Sequence, residues 1–310
     1  GELCPAVDGL NLHIDRGEIV GLVGESGCGK SMSALSVMGL VPENGEIAGG
    51  RILFKGEDLT KIGRGALRKI TGDRISMIFQ EPMTSLNPVK TVGWQVREAI
   101  LIHENISPAK AKERVLDIFR KVGIPEPERR YNHYPHQLSG GLRQRVMIGM
   151  AMVMNPDLLI ADEPTTALDV TIEAQILRLM RSLRDDQGAA ILMITHNLGV
   201  VAELCDTVYV MYAGQVVEKA DVFTLFREPR HPYTLGLMGS LPRTDKHDRS
   251  PLKAIPGMVP SLSAMPSGCR FAPRCEHACA QCRESTPPLT DLGNGHEARC
   301  FFCDKGGDGQ

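Results

Sequence analysis

An α/β fold class is predicted by three features of this 310-residue chain. Strand-length apolar runs at Ile19 to Val23, Ile75 to Phe79, Leu158 to Ala161 and Ala190 to Thr195 alternate with stretches of helical periodicity, the pattern of a layered α/β core. Directly after the first run comes Gly24-Glu25-Ser26-Gly27-Cys28-Gly29-Lys30-Ser31, which fits G-x-x-x-x-G-K-[ST]. The third run leads into the acidic pair Asp162-Glu163.

The octapeptide reads as a loop that grips a nucleoside triphosphate. Glycines at these places let successive backbone N–H groups turn inward around phosphate oxygens, while Lys30 supplies a cation and Ser31 a hydroxyl for Mg²⁺. The helix expected from about Lys30 to Leu40 aims its N-terminus at the same anion.

The segment from about 89 to 154 differs, because runs such as Trp94 to Ile102 and Pro108 to Val122 have helical periodicity with no strand between them. It is expected to be a helical insertion. A further helix is expected around Glu173 to Arg181, followed by a hairpin from Val208 to Val217 that turns at Ala213-Gly214. Beyond Pro229 the composition shifts to Pro, Ser and Cys with little periodicity. The expected organisation is therefore a core over 1–228, with its helical subdomain at about 89–154, and a Pro/Cys-rich C-terminal extension over 229–310.

Lys and Arg total 35 against 37 Asp and Glu, with no long basic tract, so nucleic acid is not an expected partner. Apolar stretches such as Val146 to Met154 fall well short of the roughly 20 residues that span a bilayer. No secretory signal is read at the N-terminus, and nine cysteines without one argue for a reducing compartment. Six of the nine, Cys269, Cys275, Cys279, Cys282, Cys300 and Cys303, crowd the tail, which points to a metal site. By spacing alone, Cys279-x2-Cys282-x17-Cys300-x2-Cys303 satisfies a four-cysteine zinc pattern.

A triphosphate site needs a second carboxylate element, and the strand ending in Asp162-Glu163 supplies it. Asp162 is expected to hold Mg²⁺ through water and Glu163 to act as general base. Upstream lies Leu138-Ser139-Gly140-Gly141-Leu142-Arg143-Gln144-Arg145, and downstream lie Thr166-Ala167-Leu168-Asp169 and Thr195-His196. With these motifs in this order the chain resembles the ATP-binding cassette (ABC) family, a P-loop NTPase fold. The resemblance implies that Ser139, Gly140 and Gly141 start a helix that binds the γ-phosphate held by the opposite subunit, so that a dimer sandwiches two ATP molecules. It also implies that Gln80 senses Mg²⁺ and couples to membrane subunits, that His196 contacts the γ-phosphate, and that Asp169 signals across the dimer. Family members usually stack an aromatic residue on adenine, and none is assigned in this chain. Cys28 stands where serine is common; its thiol is either activated by Lys30 and the helix N-terminus or a serine-sized filler.

The resemblance narrows in the tail. Arg230-His231-Pro232-Tyr233-Thr234, Ile255-Pro256-Gly257 and Gly268-Cys269-Arg270-Phe271-Ala272-Pro273-Arg274-Cys275 look like the C-terminal extension of dipeptide and oligopeptide importer ATPases. By that resemblance Cys269, Cys275, Cys282 and Cys300 coordinate a [4Fe-4S] cluster, with zinc as the alternative. The expected protein is an ATPase subunit of a bacterial peptide importer, peripheral at the cytoplasmic face of the inner membrane. It would pair with a second, related ATPase, two permease subunits and an external peptide-binding protein. The alternatives are a nickel or glutathione importer ATPase, or a cassette ATPase outside transport.

Overall fold

The computed structural model describes residues 4–80, 85–166, 168–240 and 255–302. In chain order its strands are β1 (Ile19–Val23), β2 (Leu53–Phe54), β3 (Glu57–Asp58), β4 (Ile75–Ile78), β5 (Leu158–Asp162), β6 (Ala190–Thr195), β7 (Thr207–Tyr212), β8 (Gln215–Asp221), β9 (Thr290–Asp291) and β10 (Glu297–Ala298). The helices are α1 (Lys30–Met38), α2 (Arg64–Ile70), α3 (Val92–His103), α4 (Pro108–Lys121), α5 (Pro127–Arg130), α6 (Gly140–Met152), α7 (Val170–Gln187), α8 (Leu198–Leu204), α9 (Val222–Arg227), α10 (Pro232–Gly239) and α11 (Ala280–Glu284). The chain forms two compact units, one from Gly1–His13, Val20–Ser33 and Thr195–Gln310 and the other from Ile14–Ile19 and Ala34–Ile194.

In the second unit β4, β5 and β6 pair in parallel, with Ile75 opposite Leu158 and Leu158 opposite Ala190. Nearly every residue of these strands is buried, which is why they read as unbroken apolar runs and not as alternating ones. The helical insertion is built from α3, α4 and α6 packed on one another. On α4 the buried residues Ala111, Val115, Ile118 and Phe119 recur at helical spacing and form one apolar stripe. The helix starts where Ser107 accepts a hydrogen bond from the Lys110 amide at 3.3 Å and Pro108 takes the first position. Helix α7 is capped by Asp169, which accepts from the Ile172 amide at 3.1 Å, and stops at Gly188 in the left-handed region (φ 67°).

In the first unit β1 pairs in parallel with β7, and β7 turns back into antiparallel β8. Both residues of the turn, Ala213 (φ 46°) and Gly214 (φ 87°), take positive φ, as a two-residue type I′ turn requires. This is the dipeptide at which the sequence predicts the hairpin. The tail returns to the same strand: β10 pairs with β8 through Glu297 opposite Lys219 and Ala298 opposite Glu218, and β9 pairs with β10.

Strands β1 and β6 have the bounds the sequence predicts, and the other two predicted strands differ from β4 and β5 by one residue. Helix α1 ends at Met38, before the expected Leu40, because Gly39 turns left-handed (φ 66°). Among the described residues no helix is long and apolar enough to cross a membrane.

Candidate nucleotide-binding site

The loop between β1 and α1 has a conformation that only glycine permits at two places. Gly24 (φ 154°) would bring a Cβ within 2.2 Å of the Met211 carbonyl oxygen, and Gly29 (φ 104°) would bring one within 2.7 Å of the Ala6 carbonyl oxygen. Both obstacles are backbone, so they cannot rotate aside. The hairpin supports the loop directly, since the Gly214 amide donates to the Cys28 carbonyl at 2.8 Å. Ser26 and Gly27 lie exposed at the loop's tip, and Ser31 is half-buried in the first turn of α1.

Lys30 is 7% exposed. Its ammonium donates to the Gly24 carbonyl at 2.7 Å and the Glu25 carbonyl at 2.9 Å, so its charge is held at the loop and not spread into solvent. The Cys28 thiol lies 3.7 Å from the same ammonium. Burial pushes that thiol above its ordinary value, and the attraction of Lys30 offsets this only in part. The activated-thiol reading of Cys28 is thereby corrected: desolvation outweighs the neighbouring cation, and the residue packs as a small filler.

In the other unit, β5 delivers Asp162, 3% exposed, at its end. The next residue, Glu163, takes a left-handed backbone (φ 48°) and its amide donates to the Ile194 carbonyl at 2.9 Å. Its carboxylate accepts from the Thr166 hydroxyl at 3.1 Å. Such a turn sets the carboxylate of Glu163 apart from the strand direction. Ser139 caps α6 by accepting from the Leu142 amide at 3.4 Å, and Ser139 and Gly140 are exposed. The same helix reaches the acidic turn, because the buried Gln144 amide donates to the Pro164 carbonyl at 2.7 Å. Gln80 follows β4 on the surface, while residues 81–84 and Ala167 lie outside the described residues. Asp169 serves as the α7 cap. His196 is exposed and, with Gly24 and Glu25, lines a cavity of about 80 Å³ beside the loop.

Two partners of the loop are not foreseen by sequence. The Arg274 guanidinium makes a two-pronged contact with the Glu25 carboxylate at 2.6 and 3.0 Å. The Tyr233 hydroxyl accepts from the Glu25 amide at 2.8 Å. Burial keeps that phenol protonated far above its ordinary range. Arg274 and Tyr233 stand inside stretches that carry only a family resemblance, and no local signal names a partner more than 200 residues earlier.

The expected four-cysteine centre is not assembled. Among the described residues no group of three or more His, Cys, Asp or Glu is arranged to hold a metal ion, and Cys303 lies outside them. Thiols find local alternatives: Cys282 contacts Cys279 at 3.6 Å, and the Cys300 sulfur accepts from the Phe302 amide at 3.5 Å. Burial pushes the Cys269, Cys275 and Cys282 thiols upward. The residues as arranged do not fit a preformed cluster.

Residues 7–166 match the ABC transporter family model, and residues 217–282 match that of the oligopeptide/dipeptide transporter C-terminal region. The oligopeptide transport ATP-binding protein AppD of Bacillus subtilis is 51% identical, over 99% of this chain and 93% of its own. The dipeptide transport ATP-binding protein DppD of Escherichia coli is 47% identical, over 96% and 90%. Among solved structures, the dimeric post-hydrolysis state of the ATP-binding cassette MJ0796 bound to ADP and Pi superposes with a TM-score of 0.65 at 28% identity, over 70% of this chain and 90% of that one. With its loop, acidic turn and capped α6, the chain belongs to the ABC transporter ATPase family.

Proposed function

We propose that the chain is the ATP-hydrolysing subunit of a bacterial importer of di- or oligopeptides, peripheral at the cytoplasmic face of the inner membrane. The observation that carries this reading is the match of residues 217–282 to the C-terminal region of oligopeptide/dipeptide transporters. Relatives named for oligopeptide and dipeptide transport align over nearly their whole lengths, which supports the same cargo class. We divide the chain at 228/229 into a cassette, with its helical subdomain at about 89–154, and the extension.

In this reading ATP and water give ADP and phosphate. The amides of Gly24 to Ser31 and the Lys30 ammonium hold the phosphates. Ser31, Gln80 and Asp162 are hydroxyl, amide and carboxylate oxygen donors, a set suited to Mg²⁺, which when bound offsets phosphate charge. Glu163 accepts a proton from the attacking water, and His196 contacts the terminal phosphate. Ser139, Gly140 and Gly141, at the start of α6, serve the nucleotide of a second ATPase subunit. Two permease subunits and an external peptide-binding protein complete the assembly. For the tail, a [4Fe-4S] cluster on Cys269, Cys275, Cys282 and Cys300, or zinc, rests on the sequence resemblance. Iron and acid-labile sulfide assays after anaerobic purification decide between them.

The test of function is uptake of labelled di- and oligopeptides, nickel and glutathione in cells carrying the wild-type chain or Glu163→Gln. Loss of peptide uptake alone in the variant is expected. Loss of nickel or glutathione uptake, with peptide uptake intact, would discard the peptide assignment and keep the ATPase.

A further inference from the structure

We infer that Arg274 is a positioning residue for ATP hydrolysis: from the C-terminal extension it holds Glu25, and through Glu25 the loop carbonyls that carry the Lys30 ammonium.

The geometry is that of a built contact. Arg274 presents two nitrogens to the two carboxylate oxygens of Glu25, at 2.6 and 3.0 Å. This parallel fork fixes direction as well as distance. Its other donors are used: the Pro256 carbonyl accepts at 2.7 Å and the Ile255 carbonyl at 3.3 Å. The guanidinium also lies 5.7 Å from the Tyr212 ring centre. The side chain is 4% exposed, against 33% for Glu25, so the arginine is the fixed member of the pair.

Glu25 is held at its main chain as well, since its amide donates to Tyr233. Its carbonyl is one of the two that accept from Lys30. Any tilt of the peptides at Gly24 and Glu25 therefore displaces the ammonium that meets the phosphates. Charge gives a second reason. A carboxylate in the phosphate loop repels ATP, and the Arg274 cation offsets that charge in place.

The inference rests on ATP hydrolysis by the chain and not on its cargo. It is tested on the full chain by ATP titration and steady-state hydrolysis for Arg274→Ala, Arg274→Lys, Glu25→Gln and the double variant Arg274→Ala/Glu25→Gln. Loss of Arg274 alone is expected to raise KM for ATP by about tenfold while kcat stays within about twofold. Arg274→Lys should fall between, because a point cation cannot make the fork. Because both substitutions remove the same fork, the double variant should raise KM no further than Arg274→Ala alone. Unchanged KM in Arg274→Ala would overturn the proposal. So would a KM that rises further in the double variant, which would mean that Arg274 and Glu25 act independently. Should Arg274→Ala fail to fold, Arg274→Lys with and without Glu25→Gln gives the same readout. Wild-type hydrolysis alongside a flat variant series would sink this role and leave the ATPase assignment standing.

Discussion

Glu218 and His296, 78 residues apart, meet through a 2.8 Å hydrogen bond inside the first unit, where Glu218 has no exposure at all. The same carboxylate accepts from the amides of Arg230 and His231 at 2.7 and 2.9 Å. One buried carboxyl group thus ties β8, the start of α10 and the returning tail together.

Glu218→Gln should destabilise the chain by about 3 kcal/mol, because an amide NH₂ would face backbone N–H donors and leave a buried polar group unsatisfied. Thermal unfolding of the full chain checks this, with a lowered Tm expected. An unchanged Tm would show that the three contacts are replaceable by water.

His231 gives a pH dependence. Burial, and secondarily the nearby Arg299 charge, depress its pKa from 6.5 to about 3. Its ring nitrogen accepts from the Tyr233 amide at 3.0 Å and needs the neutral form. Between about pH 6.5 and 3 the unfolded chain binds the proton that the folded chain refuses. Stability is therefore full above pH 6.5 and falls on acidification by about 1.4 kcal/mol per pH unit from this group. His231→Asn, which keeps a cap acceptor, should reduce the slope of unfolding free energy against pH in that window. An identical slope would assign it to other groups.

Thiol reactivity should follow burial and not proximity to Lys30. Burial raises Cys28 and takes Cys205 up to about 12, whereas the Cys282 amide stabilises the Cys279 thiolate and lowers that group. Peptide mapping after brief alkylation of the chelator-treated chain near pH 7 should find Cys279 labelled well before Cys28 and Cys205. Labelling Cys28 first would restore the activated-thiol reading.

Two glycines of the loop should respond unequally. Gly24→Ala drives a Cβ to 2.2 Å from the Met211 oxygen, while a Cβ at Gly27 meets nothing within 4 Å and bears only the strain of φ 80°. ATP affinity should fall by more than about tenfold for Gly24→Ala and by less for Gly27→Ala, whose cost is about 1–2 kcal/mol of backbone strain. Equal losses would mean that conformation, and not clearance from the hairpin, sets the requirement.

Much of this is legible in sequence for a physical reason. The loop, the acidic turn and the α6 cap are local arrangements, so their chemistry is written in consecutive residues: Gly24 to Ser31, Asp162-Glu163 and Ser139 to Gly141. The hairpin is legible at Ala213-Gly214 because turn chemistry is equally local. Arg274 and Tyr233 are not, since each depends on a chain reversal that no short-range pattern encodes. Cys28 leaves two readings open in sequence for a related reason: its neighbour is a cation, while burial, which comes from distant packing, pushes its thiol upward. The six tail cysteines raise a metal expectation from spacing and resemblance, yet spacing says nothing of where each sulfur points.

The bracing of the loop by Gly214, Tyr233 and Arg274 also orders events during synthesis. Gly24 to Ser31 leave the ribosome early, but the groups that hold Glu25 follow 208 and 249 residues later. Contacts of such long sequence separation form late, because the intervening chain must first be made and closed. The nascent chain therefore carries the loop without these contacts until Gly214, Tyr233 and Arg274 have been translated.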